Sequence, residues 1–506
     1  MKTHPLNPID ISWTQIESRD TPMHVAGLMP FALPDNAPPD YLRDLMTDLR
    51  SAKEFMPPWN YCLRGPGLMH PRPVWVELDE LDLEYHVRHS ALPRPGGERE
   101  LGQLVARLHS QPMDMGRPPW EFHLIEGLEG NRFAIYLKLH HSLIDGISGV
   151  RLLTRCMSED YDKSLTLPPF WSPSLEKQVR SKRVVPPPTS LDGVMKTLMN
   201  AVGTQVRSVP QLVKAFTSML TPGGTDPAMK LPFTAPKSIL NGRISGQRRV
   251  ATQLFDLNRL KSVAKSANCT LNDVVVAICG GALRRFLLDE GKLPEDSLTA
   301  GIPVSVRPAD DEGTGTEVTF IIGSLGTDIE DPAQRLAAIT ASTKAAKAHF
   351  RTLPREAIMQ YTVMLMAPNI LAVLTPLAGR VRPMFNVTVS NVPGATRPLY
   401  FRGARMEASY PISMILHGIA LNITCQSYAD SLAFAFVGCR DSLPHLQNLA
   451  VYTADALDLL EAALEQPKEG EKVARRGARR KAVATRKKPG AAAGRRKKAP
   501  AGRKRN

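Results

Sequence analysis

Several features that would place a chain outside the ordinary globular enzymes are missing from this sequence. Its 506 residues hold six cysteines, Cys62, Cys156, Cys269, Cys279, Cys425 and Cys439, and these lie far apart. With no CxxC pair and no Cys/His cluster at ligand spacing, a zinc-organised or disulfide-stapled fold is excluded, and reduced, buried thiols are expected. The start, MKTHPLNPIDISW, lacks the basic region and apolar run that an export signal needs, so a cytoplasmic protein is expected. Residues 363–377 are apolar, but Pro368, Asn369 and Pro376 interrupt them. The run is also shorter than the roughly 18 to 20 residues that span a bilayer, so no transmembrane helix is expected.

Excess charge is missing too, over most of the chain. The whole sequence carries +15, and residues 467–506, with 17 Lys and Arg against Glu469 and Glu471, carry all of it. A basic nucleic-acid surface is therefore not expected on the core. The tail is Ala, Gly, Pro, Lys and Arg with almost nothing large and apolar to bury, and its composition predicts disorder. Its blocks RRGARRK, TRKKPG, GRRKKAP and GRKR resemble the tails of bacterial histone-like proteins. Three roles stay open for it. It can be a solvated appendage, it can hold the protein at an anionic lipid surface at about 1 kcal/mol per basic residue, or it can bind nucleic-acid phosphates. No aromatic residue is interleaved for base stacking.

What is present is a 43% hydrophobic chain, too long for one ordinary core. Its organising stretch is residues 133–150, FAIYLKLHHSLIDGISGV. Residues 133–139 read as a buried strand, and His140 and His141 stand where it gives way to a turn. Imidazole titrates nearest neutrality, so one held at a strand end can take a proton from a hydroxyl. Neighbours on an extended chain point to opposite faces, so one histidine faces a substrate while the other packs into the sheet. We assign His141 as the base and His140 as the packed partner.

Around this stretch, 24–31 reads as a strand, 40–56 as an amphipathic helix, VWVELDELDLEYHVRHSALP as a further strand, and 100–109 as a helix. Pro95-Gly96-Gly97 reads as a turn. His86, His89 and His109 read as surface or structural residues. Trp120 begins a strand after Pro118 and Pro119. Residues 160–246 turn to Pro, Ser and Lys around one helical segment, 191–220, and read as a crossover without a sheet of its own. Beyond it come a strand at 249–255 and a helix at 258–267. A second helix follows, which Thr270 or Asn272 can cap. Strands are expected at 300–307 and from 385 into a Pro-Gly turn. The division is 1–159, 160–246, 247–466 and a tail, 467–506.

HHxxxDG after a buried strand resembles the active-site motif of CoA-dependent acyltransferases built like chloramphenicol acetyltransferase and the nonribosomal condensation domains. QPMDMGRPPWE resembles the PLDxxxPLWE segment of the bacterial wax ester synthase/diacylglycerol acyltransferases, with Pro119 replacing a leucine. Asn272-Asp273 resembles that family's ND motif, AGIPVSVR its PVSVR strand, and SNVPG its second signature. Gly315-Thr316 stands where the family has GN. The resemblance covers about residues 1–460.

It implies an α/β fold of two chloramphenicol acetyltransferase-like halves, each a mixed sheet with helices, around an active-site tunnel. The second histidine, His141, is then the general base. His140, Asp145 and Gly146 support the motif, with Asp145 pairing Arg307 to hold the loop. Pro118, Pro119, Trp120 and Asp273 lie at the substrate. Ser390, Asn391, Pro393 and Gly394 are architectural. The implied reaction needs no metal or cofactor, because acyl-CoA is a substrate. His141 takes the hydroxyl proton of diacylglycerol or a fatty alcohol, the oxygen attacks the thioester carbon, and the tetrahedral oxyanion collapses with loss of CoA. Asn272, or the amides at its helix start, is the candidate oxyanion donor. Two other readings stay open: an acyltransferase for a polyketide-type or other complex alcohol, and a non-catalytic lipid-binding scaffold. A peripheral membrane or lipid-droplet location goes with the lipid reading of the tail.

Overall fold

A computed structural model of the chain describes residues 2–6, 8–65, 73–144, 149, 152–173, 226–305, 318–351 and 382–465. The expected helix at 191–220, the apolar run at 363–377 and the tail lie outside the described residues.

In the first half the order is β1 (Thr3–Pro5), α1 (Pro8–Ile16), β2 (His24–Ala32), α2 (Tyr41–Ser51), β3 (Tyr61–Arg64), β4 (Val74–Glu77), α3 (Leu83–His86), β5 (Val87–Ala91), α4 (Glu98–Ser110), β6 (Trp120–Leu128), β7 (Arg132–His140) and α5 (Tyr161–Thr166). The stretch 74–93 becomes β4, α3 and β5 rather than one strand. Asp82 breaks it by accepting the Tyr85 amide at 3.2 Å and starting a helical turn. The second half runs β8 (Arg248–Asp256), α6 (Leu257–Ser266), α7 (Leu271–Asp289), β9 (Thr299–Ser305), β10 (Val318–Ser324), α8 (Pro332–Arg351), β11 (Val387–Val392), β12 (Tyr400–Phe401), β13 (Ala404–Met406), β14 (Tyr410–Ile412), β15 (Leu421–Tyr428), β16 (Ser431–Cys439) and α9 (Gln447–Glu465).

Two mixed sheets carry these halves. The first has the order β12-β13-β2-β7-β6-β5, with β14 also on β2. Here β7 lies antiparallel between β2 and β6, joined to β6 by a tight turn through Gly130 and Asn131 at φ 76° and 58°. Eight of the nine β7 residues are buried, which is why the strand reads as an apolar run broken only by Lys138 and not as an alternation. The second sheet, β10-β9-β11-β15-β16-β8, is parallel at β9/β11/β15 and antiparallel elsewhere. A small antiparallel sheet, β1-β4-β3, flanks the first.

The sheets do not respect a cut at residue 247. Strands β12, β13 and β14 leave the second half and complete the first sheet, with Arg405, Met406 and Tyr410–Ile412 paired with β2. The halves are joined further by packing. Ala26, Leu28, Ala134 and Tyr136 of the first sheet share one apolar cluster with Leu101, Leu104 and Val105 of α4 and with Ala433, Ala435 and Val437 of β16. Among the described residues no helix is long and apolar enough to cross a membrane. All six cysteines are unpaired, and all but Cys269 are buried.

Candidate active site

The register of the first sheet puts His140 at the end of β7, opposite His24 of β2. Its side chain is fully buried. The Ser142 amide lies 3.2 Å from His140 Nδ1, and an amide can only donate, so Nδ1 is the acceptor. The Ser142 hydroxyl also points at Nδ1, at 2.6 Å. The proton of His140 is therefore on Nε2, which donates to Glu17 Oε2 at 3.3 Å. The other Glu17 oxygen accepts the Met23 amide at 3.1 Å, and the Met23 carbonyl accepts the His141 amide at 2.8 Å.

His141 is half-buried, and its ring lies 4.4 Å from that of Trp13 on α1, at an interplanar angle of 38°. The backbone turns directly afterwards: the amides of Leu143 and Ile144 return to the His140 carbonyl at 3.0 and 3.4 Å. Adjacent histidines thus have different surroundings, one inside a hydrogen-bonded network and one at the mouth of the turn. Asp145, Gly146 and Arg307, the expected loop pair and its glycine, lie outside the described residues.

Pro118, Pro119 and Trp120 are brought to the same place by β6. The Pro119 carbonyl accepts the His140 amide at 3.0 Å, and Trp120 pairs with Leu139. All three are buried. The Trp120 indole donates to the Trp59 carbonyl at 2.7 Å, stacks on His86 at 4.5 Å and meets Trp171 at 5.5 Å. An aromatic block therefore backs the strand end that carries the histidines.

The remaining residues sit in the second half. Thr270 is the N-cap of α7, and Asp273 closes a capping box with it: Asp273 Oδ2 accepts the Thr270 amide at 2.9 Å and its hydroxyl at 2.7 Å. Asp273 Oδ1 accepts the Thr343 hydroxyl at 2.6 Å, and the residue is 2% exposed. In this arrangement the carboxylate fastens the helix start to α8. Asn272, beside it, is half-buried. Ser390 and Asn391 pair with Thr424 and Cys425 near the end of β11, and Pro393 and Gly394 follow. A Cβ on Gly394 would stand 2.0 Å from the Ser427 carbonyl oxygen, so only glycine permits this close approach.

Sequence reasoning passed over a buried polar network next to the histidines. His109 is buried on α4, its Nε2 donating to the Ser413 carbonyl at 3.0 Å and its Nδ1 accepting from the Tyr136 hydroxyl at 2.9 Å. His24 donates to the His109 carbonyl at 3.0 Å. Lys138, on the His140 side of β7, gives its protons to the Leu108 and Gln111 carbonyls at 3.1 and 2.6 Å and lies 3.8 Å from Glu121. Burial pushes Lys138 down to about 8, His109 to about 3 and His86 to about 4. It lowers His24 and His123 as well. The signal for His109 was legible: Leu101, Val105 and His109 recur every four residues on one helix face. Of the three histidines read as surface or structural, His86 and His109 are structural, and His89 is exposed, 3.0 Å from Glu126.

A shallow cleft of about 510 Å³ lies at the other end of β7, lined by Leu92, Arg94, Gly127 and Asn131. It holds none of the residues that the motifs singled out. Among the described residues no group of His, Cys, Asp and Glu is arranged to hold a metal ion.

The profile of the wax ester synthase/diacylglycerol acyltransferase catalytic domain matches residues 6–275, and that of the family's C-terminal domain matches 314–461. The chain belongs to this family. A Mycobacterium tuberculosis relative, provisionally named a diacylglycerol O-acyltransferase, is 48% identical over 90% of this chain and 97% of its own. The O-acyltransferase WSD of Acinetobacter baylyi is 38% identical over 92% of this chain and 98% of its own. The solved wax ester synthase/diacylglycerol acyltransferase of Marinobacter aquaeolei superposes with a TM-score of 0.74 at 38% identity, covering 92% of this chain and all of that one. The first condensation domain of the CDA synthetase shares the fold, with a TM-score of 0.53 at 16% identity over 92% of this chain and 97% of its own. The two-half α/β architecture and the family expected from the sequence both stand. The family profile spans the β7 turn, β6 and the start of α7, so it covers each residue group that the motifs singled out up to Asp273.

Proposed function

We propose that this O-acyltransferase moves a long-chain acyl group from acyl-CoA to diacylglycerol, with a long-chain alcohol as a second acceptor, and that His141 is the general base. The observation that carries the reading is the unequal pair at the end of β7. His140 is buried with both ring nitrogens in hydrogen bonds, while His141 stands half-buried at the turn. A proton acceptor must reach its substrate, and His141 is the one of the two with exposed surface.

In this reading the substrates meet at His141 between the two halves. Its imidazole takes the acceptor's hydroxyl proton as the oxygen bonds to the thioester carbon. The carbon–sulfur bond then breaks, and the proton passes to the departing CoA sulfur. Pro118, Pro119 and Trp120 form the wall behind the strand end on the acyl side. Asn272 and the first amides of α7 are the oxyanion donors, since a helix start offers unpaired N–H groups. Asp273 serves by fixing that start, and Asp145 with Arg307 by fixing the loop after His141.

The test is CoA release by the purified protein from palmitoyl-CoA with dioleoylglycerol, with hexadecanol, or with no acceptor. Release that requires an acceptor is expected, and the better acceptor names the product. A folded protein that turns over neither would move the reading to a complex alcohol or to a binding role.

The tail adds a location. All of the chain's net charge is in residues 467–506, and such a segment suits the anionic surface of a membrane or lipid droplet, where diacylglycerol resides. Removing it at Pro467 is expected to leave turnover on dispersed substrate unchanged and to lower turnover and binding on vesicles containing phosphatidylglycerol. Equal vesicle binding with and without the tail would count against this role, and loss of turnover on dispersed substrate would show that the tail serves the core.

A further inference from the structure

The mechanism above depends on how the ring of His141 is held. The turn after β7 contributes the backbone bonds of Leu143 and Ile144 to the His140 carbonyl. Two side chains from α1 and its exit bear on the ring and on the backbone before it. Trp13 lies on α1, and Glu17 follows directly after its last residue, Ile16. The indole of Trp13 lies against the ring of His141 at 4.4 Å. The Glu17 carboxylate receives His140 Nε2 at 3.3 Å on one oxygen and the Met23 amide at 3.1 Å on the other. Met23 in turn receives the His141 amide at 2.8 Å.

We propose that Trp13 and Glu17 are positioning residues for acyl transfer, Trp13 fixing the ring of His141 and Glu17 fixing the tautomer of His140 and the backbone of both histidines. The proposal rests on His141 being the base. Each residue has a distinct task. Ser142 occupies His140 Nδ1 from its own amide, so the Nε2 proton needs an acceptor, and Glu17 is the side chain that receives it. Without that acceptor the buried N–H has lost its bond, and His140 gains by turning over and giving up its bond to the Ser142 amide. That amide belongs to the residue directly after His141. Trp13 acts on the ring itself: its face limits His141 rotation, and the π surface favours the imidazolium that forms when the hydroxyl proton arrives.

A base misplaced by about 1 Å can cost up to about 100-fold in rate, so the effect belongs in kcat and not in KM. The variants are Glu17→Gln, Trp13→Leu and Trp13→Phe, assayed for CoA release from palmitoyl-CoA with the preferred acceptor beside wild type and His141→Ala. Glu17→Gln keeps the shape but has one acceptor oxygen for two donors. We expect it and Trp13→Leu to lower kcat about tenfold or more with KM within about threefold of wild type, and Trp13→Phe to recover most of the loss.

Wild-type kcat in Glu17→Gln and Trp13→Leu would overturn the proposal, as would losses confined to KM or a Trp13→Phe no better than Trp13→Leu. Should Trp13→Leu fail to fold, Glu17→Gln and Trp13→Phe still decide it. The His141→Ala arm separates the two levels of argument. If His141→Ala retains turnover, the base assignment is wrong whatever α1 does. If it loses turnover while the α1 variants match wild type, only the positioning role is wrong.

Discussion

His141→Ala is expected to lower acceptor-dependent CoA release by about 10²–10⁴-fold, the range that a single positioned general base supplies. The substitution removes the imidazole and its ring contact with Trp13 but keeps the amide bond to the Met23 carbonyl. Circular dichroism and thermal melting should therefore match wild type. His140→Ala is the contrast. Its ring is fully buried and bonded to Ser142 and to the Glu17 carboxylate, so truncation leaves the buried Ser142 without this partner at about 1–3 kcal/mol and takes a donor from the half-buried Glu17. Activity should fall in both variants, but only His140→Ala should lose stability as well. A His141→Ala enzyme within a few-fold of wild type would remove His141 from the chemistry.

That pair also shows where the sequence was legible and where it was not. The run 133–139 has one polar residue, Lys138, in an apolar strand, and β7 appears with one residue added at each end. The period-2 rule then separates His140 from His141, and the structure gives them different surroundings. The start of α7 was legible as a choice between Thr270 and Asn272, and the capping box with Asp273 resolves it to Thr270. The partners of the histidines were not legible. Glu17 and His140 are 123 residues apart, and nothing in NPIDISWTQIE says which strand end α1 will meet. The completion of the first sheet by residues 400–412 was hidden for a related reason. Strands of two or three residues carry almost no alternation to read, and their pairing with β2 is fixed by the packing of Phe401, Ala404 and Met406 on Phe31 and Met29. What lets Lys138 sit in a buried strand was not legible either. A lysine in a strand suggests an exposed edge, yet this one is buried because two backbone carbonyls at the end of α4 accept its protons.

The same buried network sets an acid limit on the fold. His86 and His109 have an ordinary value of 6.5, and burial holds them at about 4 and about 3 in the folded protein. Between those values and 6.5 the unfolded chain takes up protons that the folded chain refuses, so stability is lost as pH falls through that window. At pH 5 each of the two costs about 2 kcal/mol relative to neutral pH. His24 and His123, also lowered by burial, add in the same direction. His86 and His109 alone, at about 4 kcal/mol together, approach the lower end of the about 5–15 kcal/mol that an ordinary domain has. Lys138 works on the alkaline side. Burial lowers it from 10.5 to about 8, so between those values the unfolded chain again holds the extra proton and stability rises with pH. Urea titrations at pH 5 and 7 should therefore give midpoints that climb with pH, while toward pH 9 the Lys138 gain is opposed by the thiols of Cys156, Cys269 and Cys279, which burial pushes up. Replacing His109 with glutamine takes one of these imidazoles out of the titration and should flatten the climb between pH 5 and 7 at some cost at pH 7. Midpoints that stay level from pH 7 to 5 in the wild type would mean that these histidines are open to protons in the folded state. The neutral tautomers that tie α4 to the Ser413 segment, and so one half of the enzyme to the other, would then be wrong.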